Sequence, residues 1–301
     1  MNELVSVIVP TYSRPVNLQR AIRSILCQTY KNIEIIVVDD NGIGSKEQLE
    51  TENVLSEYIM NKKITYFPHE MNLNGSAARN TGLKIAKGKY IAFLDDDDQF
   101  LDKKIETQVM ALESLDESWG GCYCNTNLIG KNIITLCNEK SGNLAEDLLL
   151  CNVRFNTSSL LLRKEVCDNL NGFDVSFERH QDWEFMMRYF RQYKIFLPTT
   201  FPLLNKYSAR TSSSNLPCSE KLILIKEKFL NTFESDIRAL ENANIIYHEQ
   251  WMQIALSLLY EKKYKLCYGY LKKSRSYSPV TVRDFKSLLK YTILSLLKWQ
   301  K

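Results

Sequence analysis

The strongest constraint on the fold is an alternation of short apolar runs with helical patterns through the first hundred residues. Strands are predicted at 5–10, 33–38, 64–67 and 90–94, and helices at 18–28, 46–60 and 76–86. Runs rich in Val and Ile, each separated from the next by a helix, are typical of βαβ units whose helices cover both faces of a sheet. The sequence therefore predicts an α/β fold with a mostly parallel sheet flanked by helices.

Four polar segments directly follow these predicted strands, at 10–15, 39–41, 72–75 and 95–98. Each has an ordinary explanation as turn residues or as the cap of the next helix. Together they favour a ligand site, because ligands of parallel sheets bind beyond the carboxyl ends of the strands. The first segment lacks the glycine-rich pattern of a P-loop or a dinucleotide site, so phosphate charge must be met in another way.

The fourth segment is a run of four carboxylates, Asp95, Asp96, Asp97 and Asp98, placed after an apolar strand. Adjacent carboxylates at the end of a buried strand repel one another and lose hydration, which favours a compensating cation. Alternation along an extended chain puts Asp95 and Asp97 on one side. Such hard oxygen ligands suit Mg²⁺ or Mn²⁺, which often take further ligands from phosphates. An acidic loop capping a helix predicted at 101–115 remains an alternative.

Composition and charge exclude several other classes. The chain has 301 residues, 45% hydrophobic content and a net charge of +4, which fits a globular protein and does not require a nucleic-acid partner. Eight scattered cysteines and three isolated histidines lack zinc-site spacing, so we expect reduced, mostly buried thiols. No signal peptide and no apolar run of about 18 residues is evident, which predicts a cytoplasmic protein without a membrane span.

Four sequence blocks carry a family resemblance: VSVIVPTY at 5–12, IEIIVVDD at 33–40, NGSAARNTG at 74–82 and GKYIAFLDDDD at 88–98. In this order they resemble glycosyltransferase family two, the inverting transferases of the GT-A fold. The resemblance implies a GT-A domain over 1–218, with a nucleotide-binding half at 1–100 and an acceptor-binding half at 101–218. It also implies a nucleotide-sugar donor, commonly linked to uridine diphosphate (UDP), and a Mn²⁺ or Mg²⁺ ion.

The same resemblance assigns residues to the donor. The nucleotide-binding set is Pro10, Thr11, Tyr12, Arg14, Asp40, Asn74, Arg79, Asp95 and Asp96. Within it, Tyr12 is expected to stack on the base, Asp40 to accept a hydrogen bond from a base N–H, and Arg79 to lie near the phosphates. Asp95 and Asp97 form the D-x-D pair, with Asp97 the direct metal ligand. Asp96 either exchanges roles with Asp95 or faces solvent.

A transferase also needs a base, and residues 178–185 (ERHQDWEF) offer candidates. Asp182 stands where a helix is predicted to begin, so capping or first-turn charge explains it locally. The resemblance of Gln181, Asp182 and Trp183 to the family's acidic motif instead assigns the general base to Asp182. By chemistry alone His180 is the alternative, since its unperturbed pKa suits proton transfer. Glu184 is expected to point elsewhere on the helix.

The region between donor half and base is predicted to extend the sheet and to contact the acceptor. Strands are predicted at 120–124, 132–136 and 159–162. The chain departs from the family at 205–214 (NKYSARTSSS), where many members carry a histidine that joins the metal. Here Lys206 or Arg210 would meet diphosphate charge, or the segment is a flexible loop.

Residues 219–301 are predicted to form a C-terminal all-helical extension, with helices at 221–240, 244–261, 263–274 and 282–300. The last helix combines lysines with leucines, a pattern that fits either the surface of an anionic membrane or packing against the other helices. Membrane contact through 282–301 would suit an acceptor built on a lipid.

The predicted function is inverting transfer of a sugar from a nucleotide-sugar donor to a glycan acceptor, lipid-linked, in capsule, O-antigen or other cell-surface polysaccharide synthesis. The enzyme would be cytoplasmic and peripheral at the inner face of the membrane. A sugar nucleotidyltransferase is an alternative, although its glycine- and arginine-rich loop is missing after the first strand. A non-catalytic subunit that binds nucleotide or glycan is another. The residues do not identify the sugar, the acceptor or the oligomeric state.

Overall fold

The computed structural model describes residues 3–154, 156–207 and 219–297. The chain forms two compact units, one comprising Met1–Ala145 with Val153–Ala209 and the other Glu146–Asn152 with Arg210–Lys301. Both the α/β sheet and the helical C-terminal region predicted from the sequence are confirmed.

A seven-stranded sheet forms the centre of the first unit. Its strands are β1 (Val5–Thr11), β2 (Ile33–Asp39), β3 (Thr65–Pro68), β4 (Tyr90–Phe93), β6 (Trp119–Cys122), β9 (Leu161–Arg163) and β10 (Lys194–Phe196). Their order is β10-β6-β9-β4-β1-β2-β3. The strands β4, β1, β2 and β3 pair in parallel, whereas β9 runs antiparallel to both neighbours. The parallel half therefore brings the ends of its four strands to one edge.

The helices around this sheet follow the periodicity of the sequence. They are α1 (Pro15–Leu26), α2 (Lys46–Met60), α3 (Gly75–Ile85), α4 (Lys104–Glu113), α6 (Lys164–Asn169) and α7 (Gln181–Phe190), and α5 (Ala145–Leu149) lies mostly in the second unit. Proline at the start of α1 supplies the backbone angle of a first turn. Leu18, Ile22 and Ile25, three or four residues apart, are buried with Val7 and Val9 of β1 in one core.

A second, four-stranded sheet corrects part of the sequence prediction. It contains β5 (Asp98–Phe100), β7 (Asn125–Ile129), β8 (Ile133–Leu136) and β11 (Pro202–Tyr207), in the order β5-β11-β7-β8. The strand predicted at 132–136 exists, but it belongs to this sheet and does not extend the main one. Lys206 lies in β11, paired with Asp98, so a flexible loop is wrong at 205–207. Arg210 and the rest of that segment lie outside the described residues.

Residues 219–297 of the second unit form helices joined by short connections. The helices are α8 (Ser219–Thr232), α9 (Glu234–Arg238), α10 (Ala243–Tyr260), α11 (Tyr264–Arg275) and α12 (Val282–Leu297). Polar groups hold its interior together: the buried His248 contacts Ser274 Oγ at 2.9 Å and Asp284 Oδ2 at 3.1 Å. These contacts tie α10 to α11 and α12. Across the described parts of the chain, no helix has the length and apolar character needed to cross a bilayer.

Candidate active site

Two neighbouring cavities open at the carboxyl edge of the parallel strands. The first, about 320 Å³, is lined by Pro10, Thr11, Tyr12, Arg14, Asp40, Gly75, Ala78, Arg79, Asp95, Asp96, Asp97 and Lys206. The second, about 360 Å³, is lined by Arg79, Asp95, Asn156, Thr157, Glu178, Arg179, His180, Gln181, Asp182 and Lys206. Arg79, Asp95 and Lys206 contribute to both. The structure thus brings together all the predicted site residues except Asn74, which lines neither cavity.

Asp96 anchors the loop after β1. Its Oδ2 accepts hydrogen bonds from Thr11 Oγ1 at 2.9 Å and Tyr12 N at 3.2 Å, and its Oδ1 lies 3.2 Å from Arg14 Nη1. Only 5% of Asp96 is exposed, so the expectation that it faces solvent is wrong. Burial raises its pKa to about 6 despite the nearby Arg14 guanidinium. Tyr12 itself is 54% exposed at the mouth of the first cavity.

Asp95 is held by a buried arginine. Arg79 Nη2 lies 2.6 Å from Asp95 Oδ1, while Arg79 Nη1 donates to Gln181 Oε1 at 3.0 Å. Burial alone would raise the pKa of Asp95, but the charges of Arg79 and Lys206 outweigh it and hold the pKa below its usual value. The Asp95 backbone N–H donates to Ser158 Oγ at 3.0 Å. Asp95 therefore presents an ionised carboxylate at the junction of the cavities.

Asp97 and Asp98 differ sharply in their surroundings. Asp97 Oδ2 lies 2.7 Å from Arg14 Nη1, and its side chain is 23% exposed. Asp98 is fully buried in β5. Its nearest cation is Lys206, whose Nζ lies 3.6 Å from Asp98 Oδ2. Burial raises the pKa of Asp98 to about 7 despite this neighbour.

These carboxylates fit a divalent cation that is completed by other ligands. Within the described residues no three His, Cys, Asp or Glu side chains converge on one point, so protein atoms alone do not enclose an ion. Oxygen donors on one wall of an open cavity suit Mg²⁺ or Mn²⁺, which keep waters and bind phosphate oxygens. The helix-capping alternative is wrong, because β5, which begins at Asp98, lies between the aspartate run and α4. The N-cap of α4, Lys103, makes no side-chain capping bond.

Asp40 and Asn74 shape the loop before α3. Asp40 is 3% exposed, and its oxygens contact His69 Nδ1 at 2.7 Å and the backbone N–H groups of Leu73 and Asn74, each at 2.9 Å. Asn74, with a φ of 85°, caps α3 by accepting from the backbone N–H of Ser76 at 2.9 Å. Roles of Asp40 and Asn74 toward a nucleotide stay predictions.

The two acids at the start of α7 have separate surroundings. Asp182 lines the second cavity, where its Oδ1 accepts from the Trp183 backbone N–H at 2.9 Å. Burial raises the pKa of Asp182, although the Arg79 charge works against this. Glu184 is 2% exposed and pairs with Arg188, whose Nη2 lies 2.7 Å from Glu184 Oε2. As predicted, Glu184 points away from the cavity.

Sequence patterns missed two parts of the site: Gln181 as partner of Arg79, and the turn at Thr157–Ser159 that holds Asp95. Lys206, which the sequence offered as a candidate to meet diphosphate charge, lies in the walls of both cavities. Burial alone would lower the pKa of Lys206, but the carboxylates of Asp98 and Asp95 keep it raised. The sequence gives little signal for the contacts of Arg79 with Gln181 and of Asp95 with Ser158, because these residues are 102 and 63 positions apart.

The part of the chain that carries this site matches a known protein family. The family described as glycosyl transferase family 2 matches residues 6–168. This chain belongs to glycosyltransferase family two. An uncharacterised glycosyltransferase of Rickettsia prowazekii, RP339, is 33% identical over 71% of this chain and 67% of its own length. The WfaP protein of Escherichia coli, named as a UDP-Glc:alpha-D-GlcNAc-diphosphoundecaprenol beta-1,3-glucosyltransferase, is 33% identical over 52% of this chain and 59% of its own length.

The chain spans less than half the length of one further relative. A glycosyltransferase of Rickettsia bellii is 27% identical over 98% of this chain, which corresponds to 42% of that protein. Among solved structures, Staphylococcus aureus TarS 1–349 in complex with UDP-GlcNAc has a TM-score of 0.58 at 14% identity, covering 99% of this chain and 92% of its own. Mannosyltransferase PcManGT from Pyrobaculum calidifontis, in complex with GDP-Man and Mn²⁺, has a TM-score of 0.58 at 16% identity, covering 100% and 88%. Both share the fold of this family-two chain.

Proposed function

We propose that this family-two chain transfers a sugar from a UDP-linked donor to a glycan acceptor with inversion at the anomeric carbon. The observation that carries the proposal is the pair of cavities sharing Arg79, Asp95 and Lys206. One cavity is rich in carboxylates and cations, and the other contains a half-buried acid, Asp182, with a raised pKa. A donor and an acceptor bound side by side would meet at the shared wall.

The first cavity is proposed to hold the donor nucleotide. Tyr12 offers an exposed ring for stacking at its mouth, and Arg14 and Arg79 offer guanidinium groups that suit phosphate oxygens. UDP and UDP-GlcNAc occur in complexes of TarS, which has the same fold. Pro10, Thr11, Asp40 and Asn74 would shape this cavity, with Asp40 and Asn74 acting through the loop that they hold.

Asp97, with Asp95, is proposed to hold a Mn²⁺ or Mg²⁺ ion against the diphosphate. The partial exposure of Asp97 and its place in the first cavity support this, as does the Mn²⁺ complex of PcManGT. When bound, the ion would neutralise charge on the leaving diphosphate. Arg14, now paired with Asp97, would then be free to turn toward phosphate oxygens.

Asp182 is proposed as the general base. Its carboxylate would accept the proton of an acceptor hydroxyl while that oxygen attacks the anomeric carbon from the face opposite the diphosphate. The anomeric carbon–oxygen bond to the diphosphate breaks in the same displacement, and the configuration inverts. Arg79 and Lys206 would stabilise the negative charge that develops on the departing diphosphate.

The acceptor is proposed to be a lipid-linked glycan of surface polysaccharide synthesis. WfaP is named for a diphosphoundecaprenol-linked acceptor, and AmsB of Erwinia amylovora for amylovoran biosynthesis. In this proposal 1–218 is the transferase domain, with donor contacts from 1–100 and acceptor contacts from 101–218. The region from 219 to 301, which is helical in its described part, 219–297, is proposed to have a separate task.

The test is incubation of the purified chain with UDP-sugars, Mn²⁺ and GlcNAc-diphosphoundecaprenol. Release of UDP together with a β-linked product from an α-linked donor, assigned by NMR of the anomeric proton, would support an inverting transferase. UDP release without acceptor modification, or none with any donor, would contradict it. A nucleotidyltransferase would instead release diphosphate from a nucleoside triphosphate, and a non-catalytic subunit would bind without release.

The helical region is proposed to contact the membrane that carries this acceptor. Five apolar side chains of α12, three or four residues apart, are exposed: Val282, Phe285, Leu289, Ile293 and Leu296. The one acid in residues 282–297, Asp284, is buried against His248, whereas Arg283, Lys286 and Lys290 are exposed. Exposed apolar groups beside basic side chains of the same helix suit an anionic lipid surface. They support the proposal that the enzyme is peripheral at the inner face of the cytoplasmic membrane.

Co-sedimentation with vesicles tests this contact. We expect binding to vesicles containing phosphatidylglycerol and little binding to phosphatidylcholine alone. Replacing Phe285 and Leu289 by Ser should reduce the bound fraction at least about fivefold, because both side chains are exposed apolar anchors. The matched control replaces Met60 and Met71, exposed in the first unit, by Ser. Equal partitioning of wild type and both variants would exclude the α12 surface.

A further inference from the structure

Gln181 makes a contact that the proposed chemistry does not use. Its Oε1 accepts a hydrogen bond of 3.0 Å from Arg79 Nη1, while Arg79 Nη2 lies 2.6 Å from Asp95 Oδ1. Gln181 is the first residue of α7 and precedes Asp182. This hydrogen bond therefore joins the wall of the first cavity to the element that carries the proposed base.

The orientation of Arg79 depends on these two contacts. Only 8% of Arg79 is exposed, and its Nε is buried without a hydrogen-bond partner among the described residues. Besides Asp95 and Gln181, its guanidinium reaches Thr157 Oγ1 at a long 3.5 Å, and its Cζ lies 5.5 Å from the centroid of the Phe173 ring. Because Nε is unsupported, loss of the Gln181 contact would leave one short contact, to Asp95, to fix the plane of the guanidinium.

The backbone on both sides leaves room for the contact. A Cβ built on Gly75 would lie 3.2 Å from Arg79 Nη1 and 3.5 Å from Gln181 Oε1, closer to Arg79 than ordinary packing allows. His180, just before Gln181, has a φ of 59°, a left-handed conformation that residues with side chains rarely adopt. No side chain at this N-cap closes the first turn of α7. The turn thus directs Gln181 toward Arg79.

The neutrality of Gln181 matters as much as its position. An amide oxygen holds the guanidinium without charge, so Arg79 has one acidic partner, Asp95, among the ion pairs of the described residues. A carboxylate at 181 would form a charge-assisted pair with Arg79 and reduce the positive potential that the first cavity offers to a diphosphate.

We propose that Gln181 is a positioning residue, which acts through Arg79 to orient its guanidinium toward the donor diphosphate and to tie the start of α7 to the donor cavity. This inference rests on the proposed function, because it requires a nucleoside diphosphate in the first cavity. Gln181 is not assigned a contact with the reacting atoms.

The test compares the binding of UDP and uridine by isothermal titration calorimetry in Mn²⁺. For Gln181→Glu we expect about tenfold weaker UDP binding, because the new carboxylate competes with the diphosphate for Arg79. For Gln181→Leu we expect about threefold weaker binding, because one hydrogen bond to the guanidinium is lost. Uridine binding should stay within about twofold in both, because uridine has no diphosphate. Uridine binding also verifies folding. Gln192→Glu, the same change at an exposed residue, is the control and should alter neither affinity.

A second measurement isolates the pathway through Arg79. In an Arg79→Met background, Gln181→Glu should cause no further loss of UDP affinity, because the group on which it acts is gone. Equal losses of UDP and uridine affinity in Gln181→Glu, unchanged UDP affinity, or additive losses in the double variant would each overturn the role of Gln181. Failure of the wild type to bind UDP would instead overturn the proposed function, and this inference with it.

Discussion

The two cavities hold acids of opposite character, although they share a wall. In the first, Asp95, Asp96 and Asp97 are each paired with an arginine, and Arg79 keeps the pKa of Asp95 low. In the second, the carboxylate of Asp182 has a hydrogen bond from its neighbour's backbone N–H, and burial raises its pKa. A carboxylate whose pKa an arginine holds low, as at Asp95, suits the binding of a cation and its phosphates, whereas an acid with a raised pKa beside the second cavity suits proton transfer. Asp96, whose pKa is also raised, is instead engaged by Thr11 and Tyr12.

The largest expected effect comes from removing the acid of the second cavity. Asp182→Asn should lower kcat by about a thousandfold or more, since general base catalysis typically contributes 10²–10⁴-fold. UDP binding should remain within about twofold, because the first cavity is untouched. The measurements are initial rates of UDP release and calorimetric UDP binding. Turnover at the wild-type rate in Asp182→Asn would show that Asp182 is not the general base, and the contrast between the two cavities would no longer hold.

The reciprocal change in the first cavity should affect binding. Asp97→Asn is expected to abolish the Mn²⁺ dependence of UDP affinity and to weaken UDP binding about tenfold to a hundredfold, through loss of a charged metal ligand. Titrations with and without Mn²⁺ measure both effects. Asp102→Asn provides a control for charge, since Asp102 lies outside both cavities. Retained Mn²⁺ dependence in Asp97→Asn would place the metal elsewhere.

The pH dependence of kcat/KM should sharpen the comparison. The base works in its ionised form, and burial raises the pKa of Asp182, so activity should fall with decreasing pH at a value above the 3.8 of an ordinary aspartate. In Asp182→Glu this acid limb should move while the pH dependence of uridine binding does not. An acid limb that is the same in both enzymes would mean that another group titrates.

The smallest effect on catalysis is expected at the neighbouring acid. Glu184→Gln removes the buried charge that pairs with Arg188 and should lower the free energy of unfolding by about 1–3 kcal/mol. It should change kcat less than about twofold per folded molecule, since Glu184 lines neither cavity. Denaturant unfolding and rates corrected for active protein measure the two. A large loss of kcat would mean that both acids of α7 serve the reaction.

The sequence predicted most of the residues that line the first cavity and fewer of those that line the second. The reason is that local patterns determine the strand ends of the first cavity. Residues 46–60 were predicted to be helical, and α2 has these bounds, because its pattern is local. The strand ends that carry Thr11, Asp40 and Asp95 follow from the same local periodicity. By contrast, β7 and β11 are short strands that contain Asn, and they pair with each other although they are far apart in the sequence. A local sequence pattern does not reveal such a pairing.

The individual partners were the hardest part to predict. A run of four aspartates indicates a cation, but it does not show that Thr11 and Tyr12 would bury Asp96, or that Asp98 would lie beside Lys206. The first pairing joins the end of β1 to the aspartate run, and the second joins β5 to β11 in the second sheet. The contact between Arg79 and Gln181 spans 102 positions and likewise has no local signature.

The proposed function requires a metal-assisted nucleotide site in the first cavity. Thermal unfolding in the presence of UDP tests this site most directly. Ligand at about 100 times its dissociation constant should stabilise the native state by about 2.7 kcal/mol. We predict that UDP with Mn²⁺ raises the Tm of the wild type by several degrees, that UDP without metal raises it less, and that Asp97→Asn loses the difference. A Tm that UDP leaves unchanged in the presence and absence of Mn²⁺ would contradict the account.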